Sequence, residues 1–134
     1  MFLVDTSALV RIQRKQVDPG WDELGDRGLL SVCEPVLAET LVIANAKDYV
    51  RVEEWIRRQY PWVAVPDNIW DMVAAVRREL APHSAHQGVS VADLLVAATA
   101  IRLKLEVLHE DADFETIGRF VPELRQRRIS VGPD

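Results

Sequence analysis

The sequence predicts an α/β protein, a three-layer α/β/α sandwich around a mostly parallel sheet of four or five strands. Short apolar runs recur at FLV (2–4), LLSVC (29–33), WVAV (62–65) and LEVLH (105–109). The runs are continuous rather than alternating, as in strands covered on both faces. Stretches of helical spacing lie between them, the arrangement of βαβ units.

Each element has a local reason. FLV stops at Asp5, after which Thr6 and Ser7 offer a cap for a helix over ALVRIQRK. Residues 15–28 are polar and rich in turn formers, so a loop or irregular helix is expected. After LLSVC, Pro35 suits the first turn of a helix that continues through VLAETLVIANA. In 48–60 the apolar positions 49, 52, 55 and 56 share one helical face. WVAV ends at Pro66, and Asp67 is placed to cap NIWDMVAAVRREL, which stops before Pro82. Residues 83–88 read as a loop, 91–104 as a helix and 105–109 as a strand. DADFETIGRF begins a short helix, and RISV is the candidate fifth strand. No repeat or linker divides the chain, so 1–134 reads as one domain.

Composition narrows the function. Apolar residues make up 49% of the 134, enough for a packed core. The net charge of −5 provides no global basic field, so nucleic acid is not the obvious partner on charge alone. The single Cys33 has no internal disulfide partner and reads as a small buried hydrophobe, consistent with a reducing compartment. The start MFLVD has no basic region and only a short apolar run, so a signal peptide is not expected. No run approaches the roughly 20 apolar residues that span a bilayer. A cytoplasmic protein is the expectation.

The informative residues are acids in apolar settings. In an open parallel sheet, ligands bind beyond the carboxyl ends of the strands. Asp5 directly follows the first strand, and Asp111 and Asp113 follow the fourth. Glu39 lies inside PVLAETLVIA, with Pro35, Val36, Val42 and Ile43 on its helical face. Asp93 heads an otherwise apolar helix, SVADLLVAATA. No Lys or Arg lies at helical spacing from Asp93 or Glu39. An unpaired buried carboxylate costs several kcal/mol, and clustered carboxylates raise one another's pKa. A hard divalent cation, Mg²⁺ or Mn²⁺, turns that repulsion into coordination. Taken singly, Asp93 and Asp113 read equally well as helix caps, Asp5 could cap the first helix in place of Thr6 or Ser7, and Ser90-x-x-Asp93 is similar to a capping box.

Together these residues resemble a PIN-domain ribonuclease, most closely the VapC toxins of bacterial toxin–antitoxin pairs. VDTSALV is similar to the family's first motif, LAETL places Glu39 at the family's Glu, and VADLLVAATA places Asp93 at its next Asp. HEDADF resembles the last motif, with Asp111 and Asp113 at its acids and His109 where Thr or Ser often stands. The resemblance spans the whole chain. It implies an endoribonuclease using Mg²⁺ or Mn²⁺ that cuts structured RNA, often tRNA or rRNA, and so arrests translation. It also implies a homodimer and a cognate VapB-like antitoxin whose C-terminal segment occupies the active-site groove. On this reading Asp5, Asp93, Asp111 and Asp113 hold the metal, Glu39 orients or deprotonates water, and Thr6 or Ser7 supports them.

Of the 16 basic residues, 13 are Arg, a side chain suited to bidentate phosphate contact. Arg11, Arg14 and Lys15 follow Asp5 most closely and are the leading RNA contacts. Arg77, Arg78, Arg125, Arg127 and Arg128 are further candidates. Trp55 and Trp70 fall on apolar helix faces and read as core, whereas Trp21 lies in a polar segment and reads as exposed. Met72 lies off that face. His83 and His86 read as solvated loop residues, and His109 as a strand-end His bonded to backbone or solvent, or as one that approaches the metal. A receiver-type phosphoacceptor domain is the main rival, but it needs paired acids after the first strand and a Lys after the last. A haloacid-dehalogenase-type phosphatase lacks its second Asp in DTSAL. A PIN-like module that binds without cutting would be expected to lack some of these acids.

Overall fold

Five short strands and seven helices account for most of the chain in a computed structural model, which describes residues 1–134. The strands are β1 (Phe2–Val4), β2 (Leu30–Cys33), β3 (Trp62–Val63), β4 (Glu106–His109) and β5 (Arg125–Arg128). They form one sheet in the order β3-β2-β1-β4-β5, and every pairing is parallel. The helices are α1 (Thr6–Gln13), α2 (Pro19–Asp26), α3 (Glu34–Leu41), α4 (Tyr49–Gln59), α5 (Ile69–Leu80), α6 (Val91–Leu103) and α7 (Ala112–Phe120). They flank the sheet in the three-layer α/β/α arrangement.

Strand order determines where chemistry can occur. From central β1 the chain winds outward to β2 and β3, then returns past β1 to β4 and β5. The direction of winding reverses between β1 and β4. Such a reversal opens a crevice at the carboxyl ends of the two strands. Asp5 follows β1 and Asp111 lies two residues beyond β4, so both stand at that crevice. Backbone pairing continues to the rim: the Asp5 N–H donates to the Leu108 carbonyl at 2.9 Å.

One cluster of 29 buried apolar residues forms the core. It explains the continuous strand runs: Leu3, Val4, Val32, Val107 and Leu108 are each fully buried. Cys33 is buried as expected, and burial pushes its thiol up to about 11. No helix is long and apolar enough to cross a membrane.

Several expectations are corrected. Residues 19–26 form a regular helix, α2, with Asp18 as its cap: the Asp18 Oδ1 accepts the Gly20 N–H at 2.7 Å. Trp21 on that helix is fully buried rather than exposed. Its indole Nε1–H donates to the Ile129 carbonyl at 2.8 Å and its ring meets Phe2 edge-on. The polar neighbours in the sequence hid it, because Pro19–Asp26 turns only one face inward. Trp55 and Trp70 show the converse error, being 41% and 59% exposed. Ile56 and Ile69 fill the core positions beside them. Met72 packs partly buried against the core.

Three boundaries also differ. The third helix ends at Leu41 instead of continuing through residue 46, and Val42 and Ile43 stand 81% and 75% exposed. α5 starts after Asn68, which adopts a left-handed φ of 61°, and Asp67 does not cap it. The fifth strand is RQRR at 125–128, not RISV; Ile129–Val131 forms a 3₁₀ turn whose Ile129 is buried. A segment of three arginines and a glutamine does not read as a strand. It is one here because β5 is an edge strand, where charged side chains can reach solvent or partners.

Candidate metal centre

The β1–α1 junction sets the first acid. Asp5 keeps extended backbone angles (φ −81°, ψ 161°) and serves as the N-cap of α1, in place of the expected Thr6 or Ser7. Its Oδ2 accepts the Ser7 N–H at 3.1 Å and the Ser7 hydroxyl at 2.7 Å. The Ser7 Oγ in turn accepts the Glu110 N–H at 2.9 Å, which ties this junction to the end of β4. Asp5 is only 3% exposed. Burial lifts its carboxyl above the ordinary aspartate range, the Ser7 hydrogen bonds pull it back, and the charge of Glu39 adds to the rise.

The start of α6 sets the second. Ser90 caps the helix, its Oγ accepting the Asp93 N–H at 3.0 Å. Asp93 therefore sits in the first turn, where the helix dipole favours a negative charge. It is nevertheless buried, and its carboxyl is pushed up to about 7. Desolvation is the largest cause, followed by the charges of Asp5 and Asp111. The capping and anomalous-acid readings of SVADLLVAATA both hold, since Ser90 caps and Asp93 points its charge into the crevice.

The β4–α7 turn supplies the others. Asp111, not Asp113, is the N-cap of α7, and its Oδ1 accepts the Asp113 N–H at 2.9 Å. Desolvation and the Asp111 charge raise the carboxyl of Asp113, while a hydrogen bond with Asp93 acts in the opposite direction. Asp93, Asp111 and Asp113 each offer one carboxylate oxygen, and the three oxygens lie within 4.8 Å of one another. Asp5 stands outside that tight trio but close enough for its charge to act on Asp93.

The remaining predicted residues divide by position. Glu39 is half-buried, and its neighbours Val42 and Ile43 face solvent, so its apolar face is not the uniformly buried one the spacing indicates. Its charge contributes to the rise of the Asp5 carboxyl, and it is not among the acids whose oxygens meet. Thr6 brings a buried hydroxyl with no protein partner. Arg11 reaches back along α1, its Nη1–H donating to the Ser7 carbonyl at 2.7 Å. Arg14 and Lys15 are exposed and stand roughly 13 Å from Asp5 along the helix axis. Arg77 and Arg78 are exposed in the last turn of α5. Arg125, Arg127 and Arg128 are committed elsewhere: to the Lys104 carbonyl, to Glu106 and the Pro133 carbonyl, and to Glu110 and Glu115. His83 is exposed and stacks on Phe120 at 3.9 Å, and neither it nor His86 joins the acids. His109 is fully buried and is not one of the clustered ligand groups; its Nε2 lies 2.6 Å from the Gln126 Oε1.

The donor set fits a hard divalent cation. All its ligand atoms are carboxylate oxygens, with neither thiolate nor imidazole among them. Two of the trio, Asp93 and Asp113, are raised, first by desolvation and then by the neighbouring carboxylates, and a bound cation would oppose both effects. None of the salt bridges in the molecule involves Asp5, Asp93, Asp111 or Asp113.

The parallel sheet in this order gathers its acids at the reversal point, where open α/β domains bind their ligands. A receiver-type domain is excluded, because flavodoxin-like sheets run 2-1-3-4-5. Residues 2–119 match the PIN domain model, and the chain belongs to the PIN domain family. Among curated relatives, the chain is 37% identical over 103 residues to Ribonuclease VapC6 of Mycobacterium tuberculosis, covering 76% of this chain and 81% of that protein. It is 33% identical over 131 residues to Ribonuclease VapC2 of the same species, covering 94% and 91%. Among solved structures, VapBC-1 from nontypeable Haemophilus influenzae has a TM-score of 0.75 at 15% identity, covering 95% and 96%. VapBC2 from Rickettsia felis, bound to a promoter DNA fragment, has a TM-score of 0.74 at 16% identity, covering 95% and 97%.

Proposed function

We propose that this chain is a metal-dependent endoribonuclease, the toxin of a toxin–antitoxin pair, acting as one domain over residues 1–134. The observation that carries the reading is the convergence of Asp93, Asp111 and Asp113 within 4.8 Å at the sheet's reversal point, with buried Asp5 beside them. Kinship with proteins named Ribonuclease VapC supplies the substrate class.

In this mechanism Asp5, Asp93, Asp111 and Asp113 hold one or two Mg²⁺ or Mn²⁺ ions. The bound cation supplies positive charge that polarises a phosphate and acidifies water. Ser7 fixes the carboxylate of Asp5 with two hydrogen bonds and locks it to the β4 turn. Thr6 brings a hydroxyl that no protein group uses. Glu39 would orient the attacking water and take its proton. Arg11, held at the first turn by the Ser7 carbonyl, gives its remaining guanidinium donors to an RNA phosphate.

The same reading extends to partners. The targets are structured RNAs, tRNA or rRNA, whose cutting arrests translation in the cytoplasm. The chain acts as a homodimer. A cognate VapB-like antitoxin places its C-terminal segment in the groove; the fold neighbours named above were solved as VapBC complexes.

Purified protein incubated with total RNA in Mg²⁺ or Mn²⁺ is expected to give discrete fragments, and none in EDTA. Cleavage that persists in EDTA, or no cleavage with any divalent ion, sinks the reading; the second result favours a module that binds without cutting. Arg11→Ala is expected to weaken single-stranded RNA binding and to flatten its log–log salt dependence by about 0.7, the share of one phosphate contact. An unchanged slope removes Arg11 from the RNA path.

A further inference from the structure

The residue at the end of β4 does something that the sequence alone did not reveal. We propose that His109 is a positioning residue: as the neutral Nε2–H tautomer, it holds the Asp111 amide and so sets where Asp111 and Asp113 present oxygen to Asp93. This rests on the metal-centre reading above.

The geometry leaves the ring one arrangement. Its Nδ1 lies 3.0 Å from the Asp111 backbone nitrogen, and its Nε2 lies 2.6 Å from Gln126. A backbone amide can only donate, so Nδ1 must offer a lone pair. A neutral imidazole carries a single N–H, which therefore sits on Nε2. Gln126 must then turn its amide oxygen to the ring, as it does. The ring is fully buried and tilted against Phe114 at 5.1 Å, so it has no freedom to swing away.

The hydrogen bonds run on from there. Gln126 on β5 receives the His109 N–H, His109 on β4 receives the Asp111 N–H, and Asp111 Oδ1 receives the Asp113 N–H. A single residue, Glu110, separates the strand from the first acid, and its own N–H goes to Ser7. Every backbone donor of the turn from 110 to 113 that bonds a side chain thus binds a group that aims an acid or is one. A Ser or Thr at position 109 could accept the amide two residues on. Its short side chain could not also reach the neighbouring strand. The imidazole gives this chain's acidic turn a second anchor, on β5.

Three measurements test this. Nitrogen-15 spectra of the metal-free protein should show the His109 ring protonated on Nε2 alone. Mn²⁺ binding, followed by electron paramagnetic resonance, should weaken about tenfold or more in His109→Leu, which has no acceptor for the Asp111 amide. His109→Asn keeps an acceptor oxygen where Nδ1 stood, so its Mn²⁺ affinity should stay within about threefold of the parent. Both variants lose the Gln126 bond and melt at lower temperature without metal; a merely structural role makes Mn²⁺ affinity follow that loss in both alike. If His109→Leu does not fold, Gln126→Leu takes its place, with weaker Mn²⁺ binding and a proton shared with Nδ1 as the expected result. A parent ring protonated on Nδ1, a folded Leu variant that binds Mn²⁺ like the parent, or an Asn variant as weak as the Leu variant overturns the proposal. Failure of the parent chain to bind Mn²⁺ overturns the metal centre instead, and the nitrogen spectra then decide the hold on Asp111 by themselves.

Discussion

Asp93→Asn is expected to lower RNA cleavage by about 10³-fold or more, because removing an anionic ligand forfeits several kcal/mol of charge stabilisation. The same variant should be more stable than the parent when metal is absent. Asp93 is buried among like charges, and its carboxyl is pushed up to about 7. At pH 8 it is ionised and unfavourable in the folded chain. Asn has nearly the same volume and no charge, so the variant should gain on the order of 1–2 kcal/mol, or about 5 °C in melting temperature. At pH 5 the parent carboxyl is largely protonated, and the difference should nearly vanish. A purely capping or packing role predicts the opposite pattern: a modest loss of stability at both pH values, with cleavage retained.

The second large effect is on the parent protein itself. Asp93, Asp5 and Asp113 all have folded-state carboxyls raised above their ordinary values, mainly by desolvation. A group raised on folding binds protons more tightly in the native state, so its contribution to stability is complete below the unfolded value of 3.8. That contribution is lost as pH rises through the folded value, about 7 for Asp93. The metal-free protein should therefore melt at progressively lower temperature from about pH 4 to pH 8. The paired carboxylates Glu110 and Glu115 are lowered and act in the reverse sense, but their stabilisation is already established above about pH 5 and leaves this window to the crevice acids. Saturating Mg²⁺ or Mn²⁺ should flatten the decline, because a cation bound only by the folded chain stabilises it by mass action. Differential scanning fluorimetry across pH, with and without Mn²⁺, reads both effects. A melting temperature that does not fall between pH 5 and pH 8, or one that Mn²⁺ leaves unmoved at pH 8, contradicts the account.

Much of the architecture was legible because burial leaves a simple trace. Strands covered on both faces must be apolar throughout, so β1, β2 and β4 stand out as runs. β5 left no such trace. Its side chains bind Lys104, Glu106, Glu110 and Glu115, and those partners belong to tertiary structure rather than to local sequence. Trp21 carries no local signal for a related reason: its burial comes from Phe2 of β1 and from the Ile129 turn, more than a hundred residues on.

The acids were legible singly, and their grouping was only partly so. Asp5, Asp111 and Asp113 could be placed at the sheet edge because each follows a strand, and Asp93 because it interrupts an apolar helix. What spacing could not give is which oxygens meet. The tight trio omits Asp5, whose Oδ2 is taken up by Ser7. Glu39 looked core-facing in the sequence because its helix was expected to continue past Leu41; in the folded chain the helix ends there, and Glu39 is half-buried. Gln126 had no signal at all, since its role depends on β5 lying beside His109 in register.

The central claim is that these acids form a divalent-cation site. An anomalous difference map from crystals grown with Mn²⁺ tests it directly. The account predicts a peak enclosed by carboxylate oxygens of Asp93, Asp111 and Asp113, with Asp5 in contact with it directly or through water. A map with no peak among these acids at saturating Mn²⁺, or with its only peak elsewhere on the surface, would contradict it.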